Sequence, residues 1–430
     1  MRPADPARAA LLRDTNFRWL MAGGTISMLG DQFTLIALPW LVLQMTGDPL
    51  ALGLVLAVMG VPRAIFILVG GALVDRHSPK RVMMLTKYAN AFLLGLLSLL
   101  VLSDQVSMPI VYALALGIGL ASAFSIPAGT AMLPSVVAPE QLHLANGIMM
   151  STRVLTSLAG PLLAGVLIAF SGHDASAIAD SRGLGIAFAL DALTFAATIW
   201  TLHKVRMHAG AVRAAPERVL RAVASGIAMV WRDQEMRAAF LYWGAISLVV
   251  GGAMQVAMPV LASSRLGGAA ALGLVMGGHA AGSLLGMTLS SLKSDLRIGT
   301  LGTTLLAADA AGGLVLMLMG GVDTAWQAAA LMLLLGALSG FMQVAVFTWI
   351  QRRVPRDMLG RTMSIFMFIL LGLAPLAASV TGWLMQYLSL AQLFIGAGAF
   401  LLVGAVCAFA LTPMRVMNDA KSATIPGSPP

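Results

Sequence analysis

Charge is what this sequence has least of. Of its 430 residues only 10% are Asp, Glu, Lys or Arg, against 59% apolar, where soluble domains average about 25% charged and about 45–50% apolar. Mean hydropathy is +0.88. Such a chain cannot cover itself with water-seeking side chains, so a soluble globular fold is excluded. The single cysteine, Cys407, rules out a disulfide framework within the chain and any CxxC or Cys/His zinc spacing. No GxxxxGKS or GxxxxGKT loop and no nucleophile elbow occurs, and no hydrophilic segment is long enough to house a catalytic domain. ATP-driven pumping, enzymatic catalysis, cofactors and metals are therefore not expected. Strict apolar/polar alternation is missing as well, which excludes a membrane-spanning barrel.

What the sequence has is apolar runs of about the 20 residues needed to cross about 30 Å of hydrocarbon as a helix. They fall near 17–45, 50–74, 82–102, 109–134, 143–170, 184–203, 237–261, 268–291, 299–320, 325–349, 361–387 and 389–411. The expected fold is all-α and polytopic, twelve transmembrane helices in two six-helix repeats around a central cavity. Residues 1–204 form the first bundle, 205–236 a basic linker, 237–412 the second bundle and 413–430 a polar, proline-rich tail expected to be disordered. From Glu217 to Trp231 the linker alternates apolar and charged positions at helical spacing, which predicts an amphipathic surface helix or a solvated connector.

Orientation follows from the basic residues. With both termini on one side, that side collects every Lys and Arg except Arg63 and Arg153 inside spans and Arg182 and Arg265 in opposite loops. In this count Lys87 belongs with Arg76, Lys80 and Arg81 to the connection after the second span. Both termini are thus expected to be cytoplasmic. The net charge of +9 is largely this bias and does not signal nucleic-acid binding. Met1 to Arg18 is polar and basic, unlike a cleaved signal, so the first span serves as its own insertion signal.

The halves echo one another. Leu133-Pro134-Ser135 with Pro139-Glu140 and then Asn146-Gly147 follows the fourth span, and Gln351-Arg352-Arg353-Val354-Pro355 and then Gly360-Arg361 follows the tenth. Two such repeats can open a cavity alternately to each side by rocking.

The sharpest motif is Gly71-Ala72-Leu73-Val74-Asp75-Arg76-His77-Ser78-Pro79-Lys80-Arg81. It resembles the signature loop of the major facilitator superfamily, with Ser78 in place of a second glycine. The resemblance implies a cytoplasmic conformational gate. Gly71 allows close helix approach, Asp75 caps a neighbouring helix N-terminus and the cluster Arg76, Lys80 and Arg81 pairs with acids. The neighbour it implies is the eleventh helix, near Gly360 and Arg361. A second copy around Lys293, Asp295 and Arg297 is degenerate. Leu29-Gly30-Asp31, Ala37-Leu38-Pro39 and Phe124 with Pro127-Ala128 and Leu133-Pro134 are similar to the branch containing macrolide-efflux proteins and enterobactin exporters, with lysophospholipid carriers also similar. In span five, Gly147, Gly160-Pro161 and Gly165 resemble an antiporter motif, its other glycines replaced by Thr156 and Ala164. Small residues and proline suit a helix that bends during exchange, and they are also common in membrane helices generally.

Ionisable groups at bilayer depth must be paired, hydrated or neutralised. The candidates for proton coupling are Asp31, Arg63, Arg153, His279 and Asp309, with Asp191 alongside. Asp31 leads, because a carboxyl at that depth can exchange protons near neutrality. The competing reading is a permanent salt bridge to Arg63 or Arg153. His279 titrates near neutral pH when free, and is otherwise a simple hydrogen-bonded histidine. Asp191 and Asp309 have a structural alternative. Gln32, Trp40, Phe124, Gln255, Gln343 and Phe347 are the candidate substrate-cavity residues, with Trp243 and Trp349 as further adaptable walls.

The function expected is secondary active export of a hydrophobic or amphipathic small molecule (drug, macrolide or siderophore-like) in exchange for protons. A lysophospholipid carrier and a non-transporting membrane sensor with the same fold are the alternatives. The partners are a small-molecule substrate, protons and the lipid bilayer. A monomer is what the resemblance implies.

Overall fold

A computed structural model describes residues 11–76, 78–171, 181–207, 219–293 and 296–418. The helices are α1 (Thr15–Thr46), α2 (Pro49–Arg76), α3 (Pro79–Leu102), α4 (Met108–Met132), α5 (Leu142–Ser171), α6 (Ser181–Lys204), α7 (Val219–Arg232), α8 (Gln234–Gly252), α9 (Met258–Ser264), α10 (Ala269–Leu292), α11 (Leu301–Met319), α12 (Ala325–Arg353), α13 (Arg356–Met367), α14 (Ala374–Leu384) and α15 (Leu390–Leu411). A π-helical turn, Ala253–Ala257, joins α8 to α9, and another, Phe368–Gly372, lies between α13 and α14. With these joins, twelve helices among the described residues are long and apolar enough to cross a membrane. Span ends depart most around the tenth connection, where α12 runs on through Arg353 and α13 resumes at Arg356.

Local chemistry sets the ends. Asp14 caps α1 by accepting from the Phe17 amide at 2.7 Å, and Gly47, at φ 63°, ends it in the left-handed conformation that glycine adopts freely. Capping boxes open α11 (Thr300 with Thr303), α12 (Thr324 with Gln327) and α15 (Ser389 with Gln392). The π turn of span eleven leaves the Ile369 carbonyl open to an outside donor, and Ser247 Oγ of α8 supplies it at 2.8 Å.

The chain forms two compact units, one of Met1–Pro216 with Ala262–Gly277, the other of Glu217–Leu261 with Gly278–Pro430. Within the first, α1 packs on α5 and α6, α2 on α4, and α3 on α4 and α6. Within the second, α8 packs on α14 and α15, and α11 on α12 and α15. Glycine contacts add the pair α10 and α12. Numbered as spans, the neighbours are the same in each unit (1·5, 1·6, 2·4, 3·4 and 3·6), so the sequence echo extends to packing.

Without a hydrophobic driving force between helices in lipid, close backbone approach does much of the holding. A Cβ at Gly282 or Gly286 of α10 would collide with the Leu333 and Ala337 carbonyls of α12, and one at Gly336 or Gly340 with the His279 and Ser283 carbonyls. Gly282→Leu should therefore destabilise the second unit by roughly 1–3 kcal/mol or more. Its melting temperature in detergent should fall, whereas Gly396→Leu, with nothing within 4 Å of its Cβ position, should not change it.

The expected disordered tail is not free at its start. Pro413–Val416 forms a 3-10 turn, and Met414 and Met417 are buried. Gly302 N donates to the Met417 carbonyl at 2.9 Å. Two apolar side chains at tail positions hold it together with this bond and one from Thr300 Oγ1 to the Arg415 carbonyl at 2.7 Å. Residues 419–430 lie outside the described ones. The linker helix is present as α7.

Candidate functional site

The first unit holds a polar cluster inside its spans. Asp31, midway along α1, is exposed, and no ion pair within 4 Å involves it among the described residues. A carboxylate halfway along a span is costly against hydrocarbon and is favoured where it meets water or an opposite charge. Its neighbours on either side are fixed. Gly30 lies against Asp191 and Thr194 of α6, and Gln32 against Gly160 of α5. The charges that act on Asp31 are Lys87 of α3 and Arg63 of α2.

Lys87 corrects the sequence reading. It is not in the connection after span two but two turns inside α3, and is 9% exposed. Its ammonium donates to Ser27 Oγ of α1 at 2.7 Å and lies 4.6 Å from the Phe195 ring centroid of α6. Both Asp31 and Asp191 act on it. One turn further along α3, Asn90 is buried, and its Oδ1 has no partner among the described residues. Asp191 is 1% exposed and accepts from Thr34 Oγ1 at 2.5 Å and Thr194 Oγ1 at 3.3 Å. Lys87 and Asp191 are thus held by hydroxyls, Ser27 for the one and Thr34 and Thr194 for the other, rather than by direct pairing.

The remaining candidates of this unit are dispersed. Arg153 of α5 is exposed, with no carboxylate partner among the described residues. Gly160 and Gly165 are close-approach positions, the latter against Ala269 and Gly273 of α10, whose Cβ position in turn meets the Pro161 carbonyl. Gly147 faces open space. Phe124 packs on Phe66 at 6.1 Å between centroids, and Trp40 lies against Gly268.

Of the expected gate, Gly71, Asp75 and Arg76 have helical backbone in α2, and their side chains lie outside the described ones, as does His77 altogether. Lys80 is occupied. Its Nζ donates to the Val205 carbonyl at 2.7 Å and the His203 carbonyl at 3.4 Å, closing the negative C-terminal end of α6. Arg81 is exposed. In the second unit Arg361 donates to Ser225 Oγ of α7 at 2.9 Å, and Gly360 faces open space.

Also in the second unit, Tyr242 donates to Asp309 Oδ2 at 3.0 Å, and Asp309 is 8% exposed. His279 bonds the backbone of Met332, and its Nδ1 has no partner among the described residues. Gln255 sits in the π turn of span seven and Gln343 is exposed on α12. Phe347 packs edge-on to Phe366 at 5.4 Å. Trp243 and Trp349 are not adaptable walls. They are buried with Phe240 and Phe366 in the core, where large rings bury most surface.

The second unit carries an ion cluster with no counterpart in the candidate set. Arg353 bonds both oxygens of Asp233, Nε to Oδ2 at 2.5 Å and Nη2 to Oδ1 at 3.0 Å, and Nη1 reaches Glu235 Oε2 at 2.7 Å. Its guanidinium stacks 5.4 Å from the Trp349 ring. Asp233 also caps α8 through the Glu235 and Met236 amides. Burial pushes its carboxyl up, but Arg353 and those amides outweigh burial and hold it below the usual range. The stabilisation is therefore complete above the ordinary carboxylate range and is lost as pH falls through the depressed value. Wild type should keep a level melting temperature from pH 8 to 5 and lose stability below about pH 4. Asp233→Asn should cost about 1–2 kcal/mol at pH 7, a modest figure because the pair is partly solvated, and should flatten the acid limb.

The profile of the Major Facilitator Superfamily matches residues 20–379. The chain belongs to the Major Facilitator Superfamily. This major facilitator is 26% identical over 411 residues to an uncharacterized MFS-type transporter of Sinorhizobium fredii, covering 92% of this chain and 94% of that protein. It is 27% identical over 350 residues to the enterobactin exporter of Salmonella typhimurium, covering 80% of each. In structure it is similar to a nucleoside transporter (TM-score 0.68, 13% identity, covering 93% of this chain and 100% of the other). It is also similar to a bacterial homolog of the human lysosomal transporter Spinster (TM-score 0.68, 14% identity, 98% and 100% covered). A major facilitator is a secondary transporter of small molecules across a membrane, not an enzyme, and the all-helical twelve-span fold agrees.

For this major facilitator, sequence reasoning singled out Asp31, Arg63 and Asp191 but passed over Lys87, Ser27 and Asn90. The signal was available. Lys87 stands five residues into an apolar run starting at 82, and Asn90 follows at helical spacing on the same face.

Proposed function

We propose that the chain exports a hydrophobic or amphipathic small molecule by proton antiport, with Asp31 carrying the proton. The observation that supports this most is an exposed mid-span carboxylate without a direct ion pair, beside a buried ammonium and a second, buried carboxylate. Such a group changes charge without losing a fixed partner, and Lys87 and Arg63 are near enough in effect for that change to be felt across α2 and α3. The similarity to enterobactin exporters favours the outward direction. On this reading the protein works as a monomer, as the family resemblance implies, in the bacterial inner membrane; the distribution of basic residues supports cytoplasmic termini.

A proton and a substrate that cannot occupy the cluster together must take turns, and taking turns is what makes an antiporter. The experiment is uptake of lipophilic cations, macrolides, siderophores and labelled lysophospholipids into inverted vesicles, with and without an imposed pH gradient. Gradient-driven uptake of one of the soluble compounds is expected. Gradient-independent movement of lysophospholipid alone would overturn the reading in favour of a lipid carrier.

A further inference from the structure

A cleft of about 550 Å³ opens between α8 and α15, both in the second unit, at the end of these helices nearest the linker. Its polar end holds Gln234, Arg237 and Thr412, and its length is lined by Leu241, Cys407 and Leu411. Gly404 lies on the floor, where a Cβ would stand in ordinary contact 3.7 Å from the Tyr242 ring. The apolar walls are open to the outside of the bundle, Leu241 being 57% and Leu411 81% exposed. In a membrane-spanning chain that outside is lipid.

Arg237 is the odd residue here. It lies in the first turn of α8, where a cation opposes the helix dipole. Its own carboxylate neighbours are taken, Asp233 and Glu235 both being bonded to Arg353. Among the described residues its one hydrogen bond is from Nη1 to the Trp231 carbonyl at 3.3 Å, which leaves the other donors of the guanidinium for a further acceptor. A separate feature bears on depth. Ile227 and Trp231, one turn apart on α7, are 48% and 55% exposed, and a tryptophan so placed belongs at the headgroup level. Trp231 touches Arg237, so the polar end of the cleft lies at that level too.

We propose that this cleft binds one anionic glycerophospholipid from the leaflet on the linker side. Its phosphate sits on Arg237, and one acyl chain lies along Leu241, Gly404 and Leu411. A phosphodiester accepts from a guanidinium at two oxygens, and a net negative headgroup is favoured over a zwitterionic one because a choline ammonium would meet Arg237 with like charge. The proposal rests on membrane embedding and not on proton coupling, so the two can fail separately.

The test uses Cys407, the only cysteine in the chain, which is exposed and lines the cleft. The rate of its alkylation by N-ethylmaleimide is measured on the full chain in dodecyl maltoside, alone and with added dioleoylphosphatidylglycerol, dioleoylphosphatidylcholine or glycerol 3-phosphate. Phosphatidylglycerol should slow alkylation roughly tenfold or more, and the other two should not at the same concentration. Arg237→Gln should abolish that protection without altering the rate in detergent alone. Gly404→Leu should fill the cleft and make the rate insensitive to lipid. Equal protection by both lipids, protection by glycerol 3-phosphate, protection that survives Arg237→Gln, or no protection at all would each overturn the assignment.

Discussion

Asp31→Asn should leave the transporter able to exchange substrate but unable to concentrate it. Asparagine has the shape of the protonated acid and cannot release a proton, so the substrate-loaded and proton-loaded forms no longer alternate. A pH difference of one unit is worth about 1.4 kcal/mol per proton, so a one-for-one antiporter concentrates its substrate about tenfold per unit. In inverted vesicles the substituted protein should bring that ratio to one, while counterflow of labelled against unlabelled substrate persists. If accumulation survives Asp31→Asn, Asp31 is not the proton carrier. If counterflow is also lost, the carboxyl is needed for binding, not coupling.

Lys87→Met should be the most damaging substitution for stability. The side chain is 9% exposed and its ammonium is the buried cation on which both Asp31 and Asp191 act. Methionine fills the space and removes the charge, leaving Asp191, itself 1% exposed, uncompensated in the bundle. Because Lys87 makes no ion pair within 4 Å among the described residues, the cost should fall below the roughly 3–5 kcal/mol of breaking a direct buried pair. The loss should appear as a large drop in melting temperature in detergent. The double substitution Lys87→Met with Asp191→Asn should recover most of it, because the remaining polar groups, Thr34 and Thr194, can bond a neutral amide. Failure of the double variant to recover would mean that Lys87 matters through Ser27 and the Phe195 ring and not through charge.

These two residues also mark where the sequence could be read and where it could not. The twelve spans are legible because crossing a bilayer demands about 20 apolar residues and satisfies every backbone group within the helix, so length and composition are enough. The tail shows the limit of composition, since the proline-rich stretch after 412 contains Met414 and Met417, whose burial depends on a groove beside Gly302 that no local pattern announces. Asp31 stood out as a charge inside an apolar run. Lys87 did not, because counting it with the basic residues flanking span two satisfied the positive-inside pattern and hid its depth. Which charges face one another is set by the rotation of each helix about its axis. That rotation is decided by contacts such as Gly30 on Thr194 and Gly160 on Gln32, and these are long-range. The same limit separated Trp243 and Trp349, buried in the second unit, from the walls of a cavity. The Arg353, Asp233 and Glu235 cluster escaped notice because its members sit at helix ends, where charge is ordinary.

Proton movement during transport tests the account most directly. Inverted vesicles containing the protein are energised, and a pH-sensitive dye inside reports acidification. Addition of a transported substrate should release protons from the lumen, in proportion to substrate entering, for the wild type and not for Asp31→Asn. Substrate entry into wild-type vesicles with no matching proton release would contradict antiport and remove the role given to Asp31.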